Sequence, residues 1–324
     1  KYTGSHMDAF GASGRVNAGT VIGTVGDTGN ARGSDPHLHF EIRNTRSEKP
    51  LNPLLFNFVV EDTRSPRLHN LRLYYLDNNA ETIEKKTFSL IRRKNGDYRV
   101  SGDTLTVPAS NIGLALKAYD HMNGVSNWNG VYSLKVLEND NSYFEFKMDS
   151  FSFKETRYIN AHLDYEDMVT DKSYFNRCYL LPGNKLSVYS HDVEKGIIQL
   201  EEGKSTKVSI EVSDIEGNIS TLEFWLKFKP IDWKPNPKTY NYILAFEEEN
   251  LIQTPSVRIH FPKESFYQKT YFNYSFSVDH SEGIYSSVHH IHNFKTPVHK
   301  YFDLSIWPNR LPKELSPKAI IVYC

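Results

Sequence analysis

Apolar and polar positions alternate in short runs along most of the chain, and glycine, proline, asparagine or aspartate punctuate those runs every few residues. That is the grammar of strands and turns. From Val16 to Arg43 the strands are short and glycine-broken: "VNAGTVIGTVGDTGN", a turn-rich "ARGSDP", then "HLHFEIR". Hairpins are predicted there. "PLNPLLFNF" (Pro50 to Phe58) follows with two prolines as an exit, and a strand pattern restarts after "EDTRSP". The first boundary is therefore placed near Phe58.

An internal echo organises the middle. Leu114 to Val136 and Lys207 to Phe228 each read as strand, Asp, Gly turn, Ser and strand, with Asp120, Gly124 and Ser126 answering to Asp214, Gly217 and Ser220. Two hairpins, hence two sandwich-like units, are predicted. The stretch between them, Met148 to Met168, is less regular, so an interleaved arrangement is the alternative to consecutive units. "KPIDWKPNPKTYN" (Lys229 to Asn241) carries three prolines and reads as a linker. The expected fold is all-β: a partial β-sheet domain over 1–57, then β-sandwich (Ig-like) modules over 58–138 and 139–230, and a third, truncated β module over 238–324.

Composition narrows the partners. In 324 residues, 38 Lys and Arg against 39 Asp and Glu leave a net charge of −1, so no global field draws the chain to nucleic acid or anionic lipid. The two cysteines, Cys178 and Cys324, make no disulfide framework. No apolar run approaches the roughly 18–20 residues of a membrane-spanning helix, and no signal-peptide pattern opens the sequence. The chain starts at Lys1 and stops within the strand-like "KAIIVYC", so both natural ends are expected to lie outside it.

"HLHF" carries the sharpest chemistry. In an extended strand His37 and His39 share one face while Leu38 and Phe40 take the other. Imidazole is both a zinc ligand and a proton-transfer group near neutral pH. The Gly-rich run upstream lacks the lysine of a phosphate-binding loop and leads into no helical pattern, which excludes a nucleotide cradle. It also lacks the tip lysine that a lipoyl or biotinyl carrier hairpin needs, since none occurs between Arg15 and Lys49.

Taken together, "SHMDAF" with His6, the run through Val21, Ile22, Gly23, Gly26, Thr28 and Gly29, and the closing Pro36, His37, Leu38, His39, Phe40 and Glu41 resemble the M23 (lysostaphin-like) metallopeptidases. The likeness covers roughly residues 2–57. Gly4 to Met7 also spells a tag-cleavage remnant, but three residues precede it and "HMDAF" continues the family pattern. The resemblance implies a zinc-dependent peptidase of the cell envelope acting on peptidoglycan peptides. It makes His39 a zinc ligand and makes His37 and His6 the histidines that orient the attacking water and stabilise the tetrahedral intermediate. The family's other two zinc ligands, a His and an Asp, lie upstream of the segment matched by His6, so this chain alone is expected to bind zinc weakly or not at all and to be inactive. The modules beyond resemble accessory modules of Bacteroidetes-type envelope proteins, with a second envelope protein as a candidate partner. The competing reading is a non-catalytic M23-like scaffold or an activator of another hydrolase.

Other features are read more plainly. Glu41 shares the face of His37 and His39 and is a candidate to orient an imidazole. Asp120 and Asp214 are turn formers first, with calcium binding as the minor alternative. His290, His292 and His299 lie in strand-and-loop sequence without a carboxylate or glycine framework. The aromatic stripes Tyr143 to Phe153 and Ser265 to Val278 alternate as core strands do, with glycan binding on an exposed face as the alternative.

Overall fold

A computed structural model describes residues 17–323 except residues 22, 28–31, 34, 39, 57, 59 and 232–236. The fold is all-β: about 10% of it is helical, and its strands form several sheets, none closed into a barrel. Near the N-terminus, β1 (Ile42–Arg43) pairs antiparallel with β2 (Pro50–Leu51). Pro53 then turns the chain into one 3-10 turn, whose first amides are capped by the Asn52 side chain accepting from the Leu54 N–H at 3.1 Å. This ribbon is stitched to the next layer. Leu51 bridges Ser150, the Asn52 N–H donates to the Asp149 carbonyl at 2.8 Å, and the Phe151 N–H donates to the Pro50 carbonyl at 3.2 Å.

The central body contains β3 (Arg67–Leu76), β4 (Thr82–Ser89), β5 (Ile91–Arg92), β6 (Tyr98–Val107), β7 (Asn111–Tyr119), β8 (Ser133–Glu138) and β9 (Asn141–Lys147). The helices α1 (Ile159–His162) and α2 (Tyr165–Asp171) follow. Then come β10 (Phe175–Arg177), β11 (Tyr189–Asp192), β12 (Ile198–Gln199), β13 (Ser205–Ser213) and β14 (Ile219–Phe228). One sheet runs β10-β7-β3-β4, with β12 also on β7; the other runs β11-β9-β8-β13-β14-β6-β5. The β6–β14 pair is parallel. On β14 the alternation is clean, with Ser220, Leu222, Phe224 and Leu226 buried and Glu223 and Trp225 exposed. Leu71, Leu73 and Leu116 from one sheet meet Phe144, Ile210 and Phe224 from the other in a single core. Burying each such side chain contributes about 1.5–3 kcal/mol.

Residue 138 ends β8, and Asn139 and Asp140, both at positive φ, turn the chain straight into β9. This is the two-residue turn that matches strand twist. Strands on either side of that position are therefore hydrogen-bonded neighbours in one sheet. The echo also resolves differently in its two copies. Lys207 to Phe228 is the β13–β14 hairpin. Leu114 to Val136 is not a hairpin: β7 is flanked by β3 and β10, β8 by β9 and β13, and the Asp–Gly turn carries the chain from one sheet to the other. Both edges of β7 are taken, so β8 has no edge to join.

Strand β3 is buried on both faces from Leu71 to Leu76 because α1, α2 and their flanks cover its outer side, packing Tyr74, Leu76, Ala115, Ala161, Phe175 and Tyr179 together. Asp164, which precedes α2, is 2% exposed. Its carboxylate accepts from Arg72 at 2.7 Å and from the Tyr74 hydroxyl at 2.5 Å, with Arg177 at 3.8 Å. The buried charges are thus paired.

Beyond the proline-rich stretch lie β15 (Tyr242–Leu244), β16 (Asn250–Gln253), β17 (Val257–Phe261), β18 (Thr270–Phe272), β19 (Tyr274–Ser277), β20 (Val288–Ile291) and β21 (Asp303–Ile306), in three small sheets. They share a core of Leu244, Ile252, Ile259, Phe261, Phe266 and Phe272. Polar contacts fasten this region to the central body: the Tyr271 hydroxyl donates to Glu81 at 2.6 Å, and Lys295 reaches Glu166 at 3.1 Å.

Candidate functional site

Of the three site residues expected from sequence, His6 and His39 lie outside the described residues, and so does the shared face of His37 and His39. His37 is exposed and forms an antiparallel bridge with Gly26, which sets the Gly-rich run beside the histidine segment. Its Nδ1 lies 2.9 Å from the Asp35 carbonyl. A carbonyl can only accept, so Nδ1 carries the hydrogen, and the neutral ring keeps its lone pair on Nε2.

Leu38 is 78% exposed, because among the described residues of this segment no second layer covers that side. Glu41 accepts from Arg43 Nε at 2.7 Å in an ion pair. Arg43 in turn stacks over Phe153, so Glu41 belongs at least in part to the ribbon that docks on the central body. Phe40 lies 5.6 Å from Phe58, ring centre to ring centre.

A catalytic zinc needs three protein ligands and an open position. Among the described residues, one group of three or more His, Cys, Asp or Glu brings its ligating atoms within 4.8 Å of one another: Asp62, Asp120 and Asp214. It contains no imidazole. The C-terminal histidines have structural partners: His289 meets the Tyr274 hydroxyl at 2.9 Å, His292 the Thr296 hydroxyl at 2.8 Å, and His299 the Tyr267 hydroxyl at 3.0 Å. Cys178 is a free, buried thiol, pushed up by its burial. The aromatic stripes supply Phe144, Phe146, Phe266 and Phe272 to the cores.

Sequence reasoning missed Asp62 and the cleft beside it. This cleft of about 720 Å³ is walled by Leu54, Tyr119, Trp128, Tyr132 and Tyr174, with Asp120 and Asp214 on its lining. Its residues come from separate parts of the chain and share no local pattern. The only sequence trace of Asp62 is its place four residues ahead of Pro66, after which the strands restart.

Among the described residues no helix is long and apolar enough to cross a membrane. No match was found among curated proteins or among solved structures. Peptidases of family M23 are generally zinc-dependent and typically act at the cell wall or outside the cell. Residues 241–324 match the Zu5-like domain. Residues 4–53 match peptidase family M23, which is consistent with a partial M23 domain followed by further modules, and the match supports a peptidase-type function for that segment.

Proposed function

We propose that residues 1–57 are the C-terminal half of a zinc-dependent endopeptidase domain that cuts peptide bonds in the stems or cross-bridges of peptidoglycan, in the cell envelope. The observation that carries this reading is the His37 ring itself, held by the Asp35 carbonyl through Nδ1 within a segment that matches family M23. Hydrolysis of an amide needs a group that takes a proton from water and returns one to the leaving amine. An imidazole fixed through Nδ1, with Nε2 free to accept, suits that work, and its protonated form stabilises a developing oxyanion. His6 is proposed to share this role and His39 to be a metal ligand, both from the resemblance. By the same resemblance, which assigns one zinc ligand, His39, the chain by itself is proposed to be inactive. The ribbon β1–β2, tied to residues 149–151, supports a mounting role for the central body.

The test is digestion of purified peptidoglycan by a polypeptide carrying the whole M23 domain, beside this chain alone. New free amino groups without new reducing sugar ends, from the whole domain only, are expected. Reducing ends would mean glycan cleavage. Neither product would favour the scaffold or activator reading.

A further inference from the structure

Three carboxylates from distant parts of the chain converge at one end of the central body. Asp120 is the first residue after β7, in one sheet; Asp214 is the first after β13, in the other; Asp62 lies on the segment that enters the body ahead of β3. Their carboxylate oxygens lie within 4.8 Å of one another. Asp120 is 5% exposed and Asp214 3%.

Two of the three are explained locally. Asp214 caps its own turn, accepting from the Asn218 N–H at 2.8 Å and the Asn218 Nδ2 at 2.7 Å. Asp62 Oδ1 accepts from the Arg64 N–H at 3.1 Å. Asp120 is different, because its Oδ1 is buried and has no hydrogen-bond partner. A carboxylate oxygen stripped of water and left without a donor is costly. Here it also faces two like charges. Burial, Asp214 and Asp62 push its carboxyl up to about 6 against the help of the His121 N–H and Arg64. Arg64 is the cation at hand, and its guanidinium already donates to the Met122 carbonyl at 3.3 Å.

The framework around the trio is cross-linked by hydrogen bonds. Asn218 Nδ2 also donates to the Asp62 carbonyl at 3.1 Å, and the Ser220 hydroxyl donates to the Pro66 carbonyl at 2.6 Å. The entering segment is thus already laced to the turn that holds Asp214. All three candidate donors are carboxylate oxygens, which suit a hard cation with a flexible shell rather than zinc. The adjoining cleft, lined by Asp120 and Asp214, has room for the waters that would complete six to eight ligands.

We propose that Asp62, Asp120 and Asp214 form a calcium-class divalent cation site that clamps the segment entering the central body to the ends of both sheets. The site stands apart from the peptidase reading. Its occupation fixes how the N-terminal segment leaves the body.

Terbium(III) luminescence tests it, because Trp128 lines the same cleft and serves as the sensitiser. Saturable emission that calcium displaces is expected from the intact chain, together with a thermal midpoint that rises with calcium and falls back with chelator. Asp62→Asn keeps the acceptor for the Arg64 N–H while losing charge, and should weaken calcium by more than about tenfold. Asp120→Asn should abolish both responses. In chelator it should melt no lower than the wild type, since it relieves repulsion, which separates loss of the site from loss of the fold. No saturable emission and no calcium-dependent midpoint at millimolar calcium would overturn the proposal and leave the carboxylates sharing a proton. Responses unchanged in both variants would overturn it too, as would tighter binding of zinc than of calcium at the site that Asp120→Asn removes.

Discussion

Acidification should weaken the central body through His162. This ring, at the end of α1, is 1% exposed. Asn176 Nδ2 donates to the Leu116 carbonyl at 3.5 Å, which turns Asn176 Oδ1 toward His162 Nε2 at 3.2 Å. Nε2 must therefore carry the hydrogen. Nδ1 accepts from the Tyr189 hydroxyl at 3.0 Å, and that hydroxyl accepts from Asn184 Nδ2 at 2.8 Å. A second proton on Nδ1 would displace the Tyr189 hydrogen into a buried space beside Phe146. Burial, opposed by the Asn176 bond and reinforced by Arg177, lowers His162 from 6.5 to about 4. The unfolded chain thus takes up the proton first, so the stability is whole above pH 6.5 and is lost as the pH falls toward 4. Linkage over that window puts the loss at about 2 kcal/mol by pH 5 and about 3 kcal/mol by pH 4. Asp120 acts in the opposite sense, because its raised carboxyl gains stability as the pH falls through about 6. The total curve therefore mixes signs, and a difference is needed. Urea unfolding of the wild type and of His162→Gln in metal-free buffer, from pH 7.5 to 4.5, should show the wild type losing about 2.5 kcal/mol more than the variant. Parallel curves would refute the argument.

Burial alone would raise the Asp164 carboxyl, but Arg177, Lys85, Tyr74 and Arg72 more than offset it and hold it well below the usual carboxylate range. Asp164→Asn should cost about 3–5 kcal/mol in urea unfolding at neutral pH by leaving buried guanidinium groups unpaired, and the wild-type benefit should be lost only as the pH falls below 3.8. Gly196 sits at φ +78°, where a Cβ would collide with the Cys178 carbonyl and come within 2.9 Å of the Tyr179 Cα. Gly196→Ala should destabilise by about 2–4 kcal/mol, whereas Gly203→Ala, at φ +81° with nothing within 4 Å, should cost about 1 kcal/mol in the same assay.

The strand character was legible because alternation is local, as Leu222, Phe224 and Leu226 show. What pairs with what was not. Strand–turn–strand sequence looks the same whether the chain folds back on itself, as after Ser213, or crosses between sheets, as after Tyr119. Nor does any local signal announce the parallel β6–β14 pair. The continuous burial of β3 comes from α1 and α2, which follow more than eighty residues later, so no window around Leu71 to Leu76 contains its cause. At the candidate site, the reading of His37 rests on spacing and motif within one segment. The meeting of Asp62 with Asp120 and Asp214 joins segments far apart in the chain and could only be seen in the fold.

The peptidase reading assigns different work to two histidines only two residues apart, and zinc content measured beside peptidoglycan digestion on the same samples separates them. In a polypeptide carrying the whole M23 domain, His39→Ala should lose zinc and activity together, with added zinc restoring part of both. His37→Ala should keep its zinc while turnover falls by roughly 10² to 10⁴. Zinc lost from His37→Ala but kept by His39→Ala would reverse the two roles, and digestion unaffected by either change would contradict the reading itself.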